Sequence, residues 1–314
     1  MGSSLLTNSS AMTALQTLRN VSTQLATTQN RISTGQRVST ASDNSAYWSI
    51  ATSMRSDNAA LSAVSDSLGL SAAMVDTEYT ALNTVIGDKN SGLTKLQALL
   101  VEAKTAGIDR SKIQADVTQI QNQLKSTADS ATINGINWLS IDTTPSSSTA
   151  TPTSFNLVSS YSRVGNTPTI GSITVTTATY ALYTTGGSST TGILDAVVGG
   201  STGASVSSIN IGALTDSATD QTKLDGYIAQ VTAAIGSVAS AAANLGAVKN
   251  RISTNTEFVK NLMDSVDRGV GQLVDADMNQ ESTRLAALQV QQQLGVQALS
   301  IANNSSQSIL SLFR

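Results

Sequence analysis

Very few residues of this chain could do covalent chemistry. It has no histidine and no cysteine. That removes the base of a hydrolase triad, the thiol nucleophile and the usual zinc ligands. Asp275 and Asp277 form a close carboxylate pair, but a spacing of two points them to different faces of a helix. Acidic residues near a helix start serve more simply as partners of its dipole. The glycines at 186, 187, 192, 199 and 200 lack phosphate-loop spacing and have no Lys-Ser/Thr after them. The expectation is a protein that is not an enzyme, with no catalytic residue, no cofactor and no metal.

Bulk properties narrow the classes further. A net charge of -3 and a pI near 4.9, with no basic cluster, argue against nucleic acid. No uninterrupted apolar run reaches the roughly 18 residues of a membrane span, so membrane insertion is not expected. Met1 to Met12 lacks the basic start and apolar core of a cleavable signal. Trp48 and Trp138 read as core residues. Arg19, Arg31, Arg37, Arg55 and Arg284 read as solvated or ion-paired, with two or three at an interface if the chain polymerises.

With chemistry set aside, the pattern at the chain ends stands out. Ala11, Leu18, Leu25 and Ile32 are seven apart, and Ala14, Val21 and Thr28 follow three residues after the first three. This is the a/d spacing of a helix lying along a partner helix. At the other end Leu285, Leu288, Leu299, Ala302, Ile309 and Phe313 follow the same rhythm of threes and fours, with Gln292 and Gly295 as weak positions, and Leu294, Ala298 and Ile301 widen the stripe. Both seams are narrow, set in Ser, Thr, Asn and Gln, so each helix is marginal alone. Heptads do not say whose helix is the partner; a hairpin within one chain and packing between chains both stand.

Between the ends, Asp43 reads as the cap of a second helix carrying Ile50, Met54, Leu61, Val64 and Leu68. Leu70, Met74, Val75, Tyr79, Leu82, Val85 and Ile86 continue it to Gly87. Turn residues 87–92 break the pattern. A third helix follows to Gly107, then a fourth with Ile113, Val117, Ile120 and Leu124. Asn134-Gly135 predicts a tight hairpin. Near Asp142 the composition changes to Ser, Thr and Gly with all three prolines, which predicts a small β-rich insert, with a disordered linker as the competing reading. Helical pattern returns by Leu224 with Tyr227, Ile228, Val231, Ile235, Val238, Leu245 and Val248, then Ile252, Phe258 and Leu262. Gly269 and Gly271 read as a hinge before the last helix.

The fold class expected is mainly α: a long antiparallel helical bundle or coiled coil built from both chain ends, with a small β-rich central insert. Residues 1–41 and 269–314 would be terminal arms, 42–142 and 223–268 a helical bundle, and 143–222 a surface insert.

Two separated runs carry a resemblance. Residues 10–18 (SAMTALQTL), 30–38 (NRISTGQRV) and 41–46 (ASDNSA), together with 276–285 (ADMNQESTRL) and the apolar finish at 310–314 (LSLFR), resemble the two terminal signatures of bacterial flagellins. The resemblance covers residues 1–142 and 223–314, and it points towards flagellins of plant- and soil-associated bacteria. It implies a subunit that self-assembles into the flagellar filament for swimming motility, secreted uncleaved by the flagellar type III route. Its partners would be copies of itself, sister flagellins, an export chaperone, and cap and hook-associated proteins. A hook–filament junction protein resembles flagellin at both ends and stays open as an alternative, as does a secreted enzyme carried on a helical stalk. The packing residues implied are Leu5, Met12, Leu18, Val21, Leu25, Ile32, Leu285, Leu288, Leu294, Leu299, Ile301, Ile309 and Phe313. Residues 30–51 occupy the place of the flagellin peptide bound by plant immune receptors; at 42–47, Asp43 keeps the active Lys-Asp-Asp-Ala-Ala-Gly pattern, whereas Asn44 and Tyr47 depart from it. The Toll-like receptor surface of similar proteins falls on Lys95, Leu99 and Asp116.

Overall fold

The structure, a computed structural model, describes residues 8–142, 152, 154–165, 167–185, 192–197 and 204–312, with the backbone alone for 305–312. Leu5 and Phe313 lie outside the described residues, and the Ile309 side chain outside the described side chains. Six α-helices, α1 Ser9–Thr34, α2 Ser45–Ile86, α3 Gly92–Ala103, α4 Arg110–Ser130, α5 Ala218–Val274 and α6 Met278–Leu312, account for most of these residues. Among the described residues, four strands lie between α4 and α5: β1 Ser140–Asp142, β2 Ser154–Val164, β3 Thr167–Thr176 and β4 Tyr183–Thr185. The expected mainly helical fold with a small central strand insert is thus what the chain adopts. Contacts divide it into two units, Met1–Ala59 with Leu262–Arg314, and Ala60–Asn261; α2 and α5 contribute to both.

In the second unit the core is a set of heptad stripes. Leu61, Val64, Leu68, Ser71, Val75, Glu78, Leu82 and Val85 are buried along α2, spaced three and four apart. Leu224, Tyr227, Val231, Ala234, Val238, Ala241 and Leu245 do the same along α5, and Ile113, Val117, Ile120 and Leu124 along α4. Side chains three and four apart share one helix face, so each stripe can be covered by a neighbouring helix. The expected stripes need two corrections. Leu70 and Phe258 are exposed, while Ser71, Glu78 and Val259 turn inward. At these positions the three-four rhythm runs through small or polar residues and bypasses the large apolar ones. Part of α5 reaches a mean hydropathy of 1.5 over 18 residues, enough by length and composition to cross a membrane. Its Val231, Val238 and Leu245 are buried within the protein.

Gly87 and Gly92 both have φ near +65°, and a Cβ on Gly92 would lie 2.5 Å from the Val85 carbonyl oxygen. The tight α2–α3 turn therefore needs glycine. Asn134 (φ 53°) and Gly135 (φ 77°) form the expected hairpin turn, closed by Ile133 and Ile136 hydrogen-bonding each other.

The described strands of the insert form two pairs. β2 and β3 pair antiparallel as a ribbon, buried at its base by Leu157, Ile173 and Val175 and exposed at Val164 and Ile170. β1 pairs parallel with β4. The segment before α5 belongs to the bundle. Ile209 and Ile211 are buried, Gln121 Nε2 donates to the Val206 and Ile209 carbonyls, and the Ile211 amide donates to Gln114 Oε1. The buried Arg110 guanidinium ties the same region down through the Ala103 and Leu214 carbonyls and Asp216. α5 begins at Ala218, six residues ahead of Leu224 where the pattern becomes readable.

Candidate assembly surface

The first unit pairs α1 with α6 as an antiparallel hairpin. Asn8 Nδ2 donates to the Ala302 carbonyl at one end, and Arg31 Nη1 lies 3.1 Å from Glu281 Oε1 towards the other. Beyond the pair, the Ala276 amide donates to the Gly35 carbonyl and the Arg37 amide to that of Val274, bridging the two connecting segments. Gly35 (φ 70°) ends α1 in the left-handed conformation that favours glycine. The connection to α6 is shorter than a glycine hinge would be. Gly269 and Gly271 lie inside α5, which runs on to Val274, and the break falls at 275–277. Asp277 caps α6 by accepting from the Asn279 and Gln280 amides, as acidic residues at a helix start do. At the start of α2 the capping role falls to Asn44, whose Oδ1 accepts from the Tyr47 amide, instead of Asp43. Asp43 Oδ2 accepts from the Ser39 and Thr40 amides and hydroxyls, and these bonds hold its carboxyl below the usual carboxylate range, Thr40's backbone bond most.

The heptad of α1 closes against α6 of the same chain. Val21 and Thr28 are buried in this seam, and Ala11, Ala14, Leu18, Leu25 and Ile32 half-buried. From α6, Glu281 and Leu288 are buried, and Leu285, Gly295 and Leu299 half-buried. Gly295 lets the helices approach, since a Cβ there would meet Leu18 Cδ1 at 3.3 Å. Glu281 Oε2 is buried with no hydrogen-bond partner, so the Arg31 pair satisfies one carboxylate oxygen only.

Met12, Leu294 and Ile301 stand apart from that seam. Leu294 is 57% exposed where Leu288 is 4%. Val290, Leu294 and Ile301 fall together on the side of α6 turned away from Leu288, at 3.6 residues per turn. The expectation that Leu294, Ala298 and Ile301 widen the first stripe is therefore corrected: they belong to a second one. On α1 the outer side carries exposed Met12 and Leu15 among Ser, Thr, Asn, Gln and Arg19. Tyr47, Trp48 and Ile50 at the start of α2 are also exposed. Trp48 thus departs from the expectation of a core residue, while Trp138 is fully buried. In the second unit Leu99 is buried, Lys95 half-buried and Asp116 exposed. What this arrangement can do is bury apolar surface against further helices.

Residues 5–144 match the bacterial flagellin N-terminal helical region and residues 228–313 the bacterial flagellin C-terminal helical region. Similar proteins include Flagellin C of Rhizobium meliloti, 45% identical over 338 residues, and a flagellin of Brucella melitensis, 46% identical over 312 residues; each alignment covers 99% of both chains. Flagellin A of Rhizobium meliloti is 38% identical, over 99% of this chain and 100% of its own. Matched at both helical ends, and along its whole length by these relatives, the chain belongs to the bacterial flagellins, the structural subunits of the flagellar filament that drives swimming.

Proposed function

We propose that the second apolar stripe of α6, Val290, Leu294 and Ile301, is the surface through which subunits bind one another in a helical homopolymer. The observation that carries this reading is the two-sided apolar character of α6, with Leu288 buried in the hairpin and Val290, Leu294 and Ile301 exposed opposite it. A helix with two apolar sides needs two partners, and the hairpin supplies one. In this arrangement the arms, residues 1–41 and 269–314, form the innermost layer. Residues 42–142 and 223–268 surround them, and the insert faces solvent. Leu18, Val21, Leu25, Ile32, Leu285, Leu288 and Leu299 shape the arm hairpin, and Met12, Leu294 and Ile301 meet the next subunit. The subunit reaches the filament by the flagellar type III route, with an export chaperone, and meets cap and hook-associated proteins and sister flagellins there. It acts without catalysis, metal or cofactor. The segment carrying Asp43, Asn44 and Tyr47, and the Lys95, Leu99 and Asp116 surface, are weak immune ligands because their local sequence departs from the receptor-active pattern.

Electron microscopy of purified protein added to filament seeds tests the assembly reading. Long filaments from the native chain and none from Leu294→Asp are expected. Unimpaired elongation by Leu294→Asp would refute the role of the stripe.

A further inference from the structure

Glu78 is a carboxyl group in the middle of an apolar stripe. It sits on the buried side of α2 between Val75 and Leu82 and is 3% exposed. Its Oε1 accepts the Trp138 backbone amide at 3.0 Å, and its Oε2 is buried without a hydrogen-bond partner. Trp138 is itself fully buried, packs against Phe155 of β2 at 5.8 Å between ring centroids, and leaves its Nε1 unpaired. The charged groups on the surrounding elements are engaged elsewhere. Asp76 of α2 pairs with Lys249 of α5 at 2.7 Å, and Lys125 pairs with Asp129 at 3.2 Å on α4. Asp195 accepts from the Thr184 amide and the Ser207 hydroxyl. The Tyr183 phenol, with Lys125 over its ring, is held neutral by burial and by Asp195 and Asp129. Among the described residues no cation pairs with Glu78.

The Trp138 segment links the bundle to the insert. Asn137 Nδ2 donates to the Ala128 carbonyl at the end of α4, and its Oδ1 accepts the Leu139 and Ser140 amides. The Leu139 carbonyl accepts the Leu182 and Tyr183 amides, and β1 continues from there into its pairing with β4. β1 and β4 are therefore joined to the bundle through the segment whose Trp138 amide Glu78 holds.

We propose that Glu78 is a proton-held latch: as the neutral acid it fastens residues 131–142 to α2, and its ionisation loosens that segment together with the strands attached to it. A single amide donor suits the carbonyl oxygen of a neutral acid. A carboxylate there would keep a full charge away from water with one oxygen unsatisfied. Burial pushes the carboxyl up to about 7 from an ordinary 4.5, and the Trp138 amide offsets this only in part.

The folded form thus keeps a proton that the unfolded chain gives up near pH 4.5. The stabilisation is full below that pH, is lost as pH rises to about 7, and changes no further above it. Urea unfolding of the full-length monomer, wild type and Glu78→Gln, measures it. Between pH 4.5 and 7 the folded-to-unfolded ratio of the wild type should fall relative to the variant by roughly 10². Parallel pH profiles would overturn the latch. The chain has four glutamates, so carbon-13 carboxyl spectra can follow Glu78 directly even if the glutamine variant does not fold. A resonance titrating near pH 7 is expected, and one titrating at or below 4.5 would overturn the proposal. In a Trp48→Phe background, Trp138 emission should shift to the red over the same interval, and an unchanged spectrum would show that the segment does not loosen.

Discussion

Truncating Leu288 and truncating Leu294 to alanine should have opposite signatures, although the two lie six residues apart on one helix. Leu288 is 4% exposed against α1, so its loss removes buried methyl groups and leaves a void. Leucine-to-alanine changes at such sites cost about 2–5 kcal/mol, and a two-helix seam relaxes enough to place this one near the lower end. Two to three kcal/mol is roughly a 30- to 150-fold rise in the opening equilibrium of the α1–α6 hairpin. Leu294 is already 57% exposed, so the monomer should change by no more than about 0.5 kcal/mol. Its contribution comes on assembly. Covering the exposed half of a leucine is worth about 1–1.5 kcal/mol, roughly a 5- to 12-fold rise in the critical concentration when it is lost. Hydrogen exchange on the monomer reads the first effect over residues 9–34 and 278–312. Sedimentation of filaments at steady state, over a concentration series, reads the second. If Leu294→Ala speeds exchange in the monomer as Leu288→Ala does, or leaves the critical concentration unchanged, the assignment of the two stripes is wrong.

Gly92→Ala should destabilise the second unit by about 1–3 kcal/mol in urea unfolding, through the positive φ and the approach to the Val85 carbonyl; an unchanged midpoint would mean the turn can rearrange. Replacing Tyr161–Ile170 by Asn-Gly should leave filaments intact by microscopy, because the ribbon tip is exposed, whereas Ile211→Ala should lower stability by about 2–4 kcal/mol. A synthetic peptide of residues 30–51 should be a poor agonist of the plant flagellin receptor in an oxidative-burst assay. Response should return in part with Tyr47→Gly and Asn44→Asp together, and a native peptide as active as one of the receptor-active pattern would refute this.

Where apolar side chains recur with one period over many residues, local sequence is sufficient. The arms, the α2–α4 helices, the Asn134-Gly135 turn and the family resemblance are all legible that way, because helix periodicity and turn conformation are properties of neighbouring residues. The Asp142 composition shift likewise marks the insert, since Ser, Thr, Gly and Pro cannot sustain a heptad. Local pattern failed where a residue's role depends on what lies opposite. Ser71 and Glu78 complete the stripe of α2 by spacing, but a polar type at a core position is recognised only when the covering residues are in place. The Trp138 amide that Glu78 accepts is sixty residues away in the chain. The partner of α1 is undetermined by a heptad, and only the Arg31–Glu281, Asn8–Ala302 and Gly35–Ala276 contacts make it α6 of the same chain. That pairing in turn separates Leu288 from Leu294. Both are leucines of one amphipathic run, and tertiary contact alone decides which is spent inside the subunit and which is left for the next one.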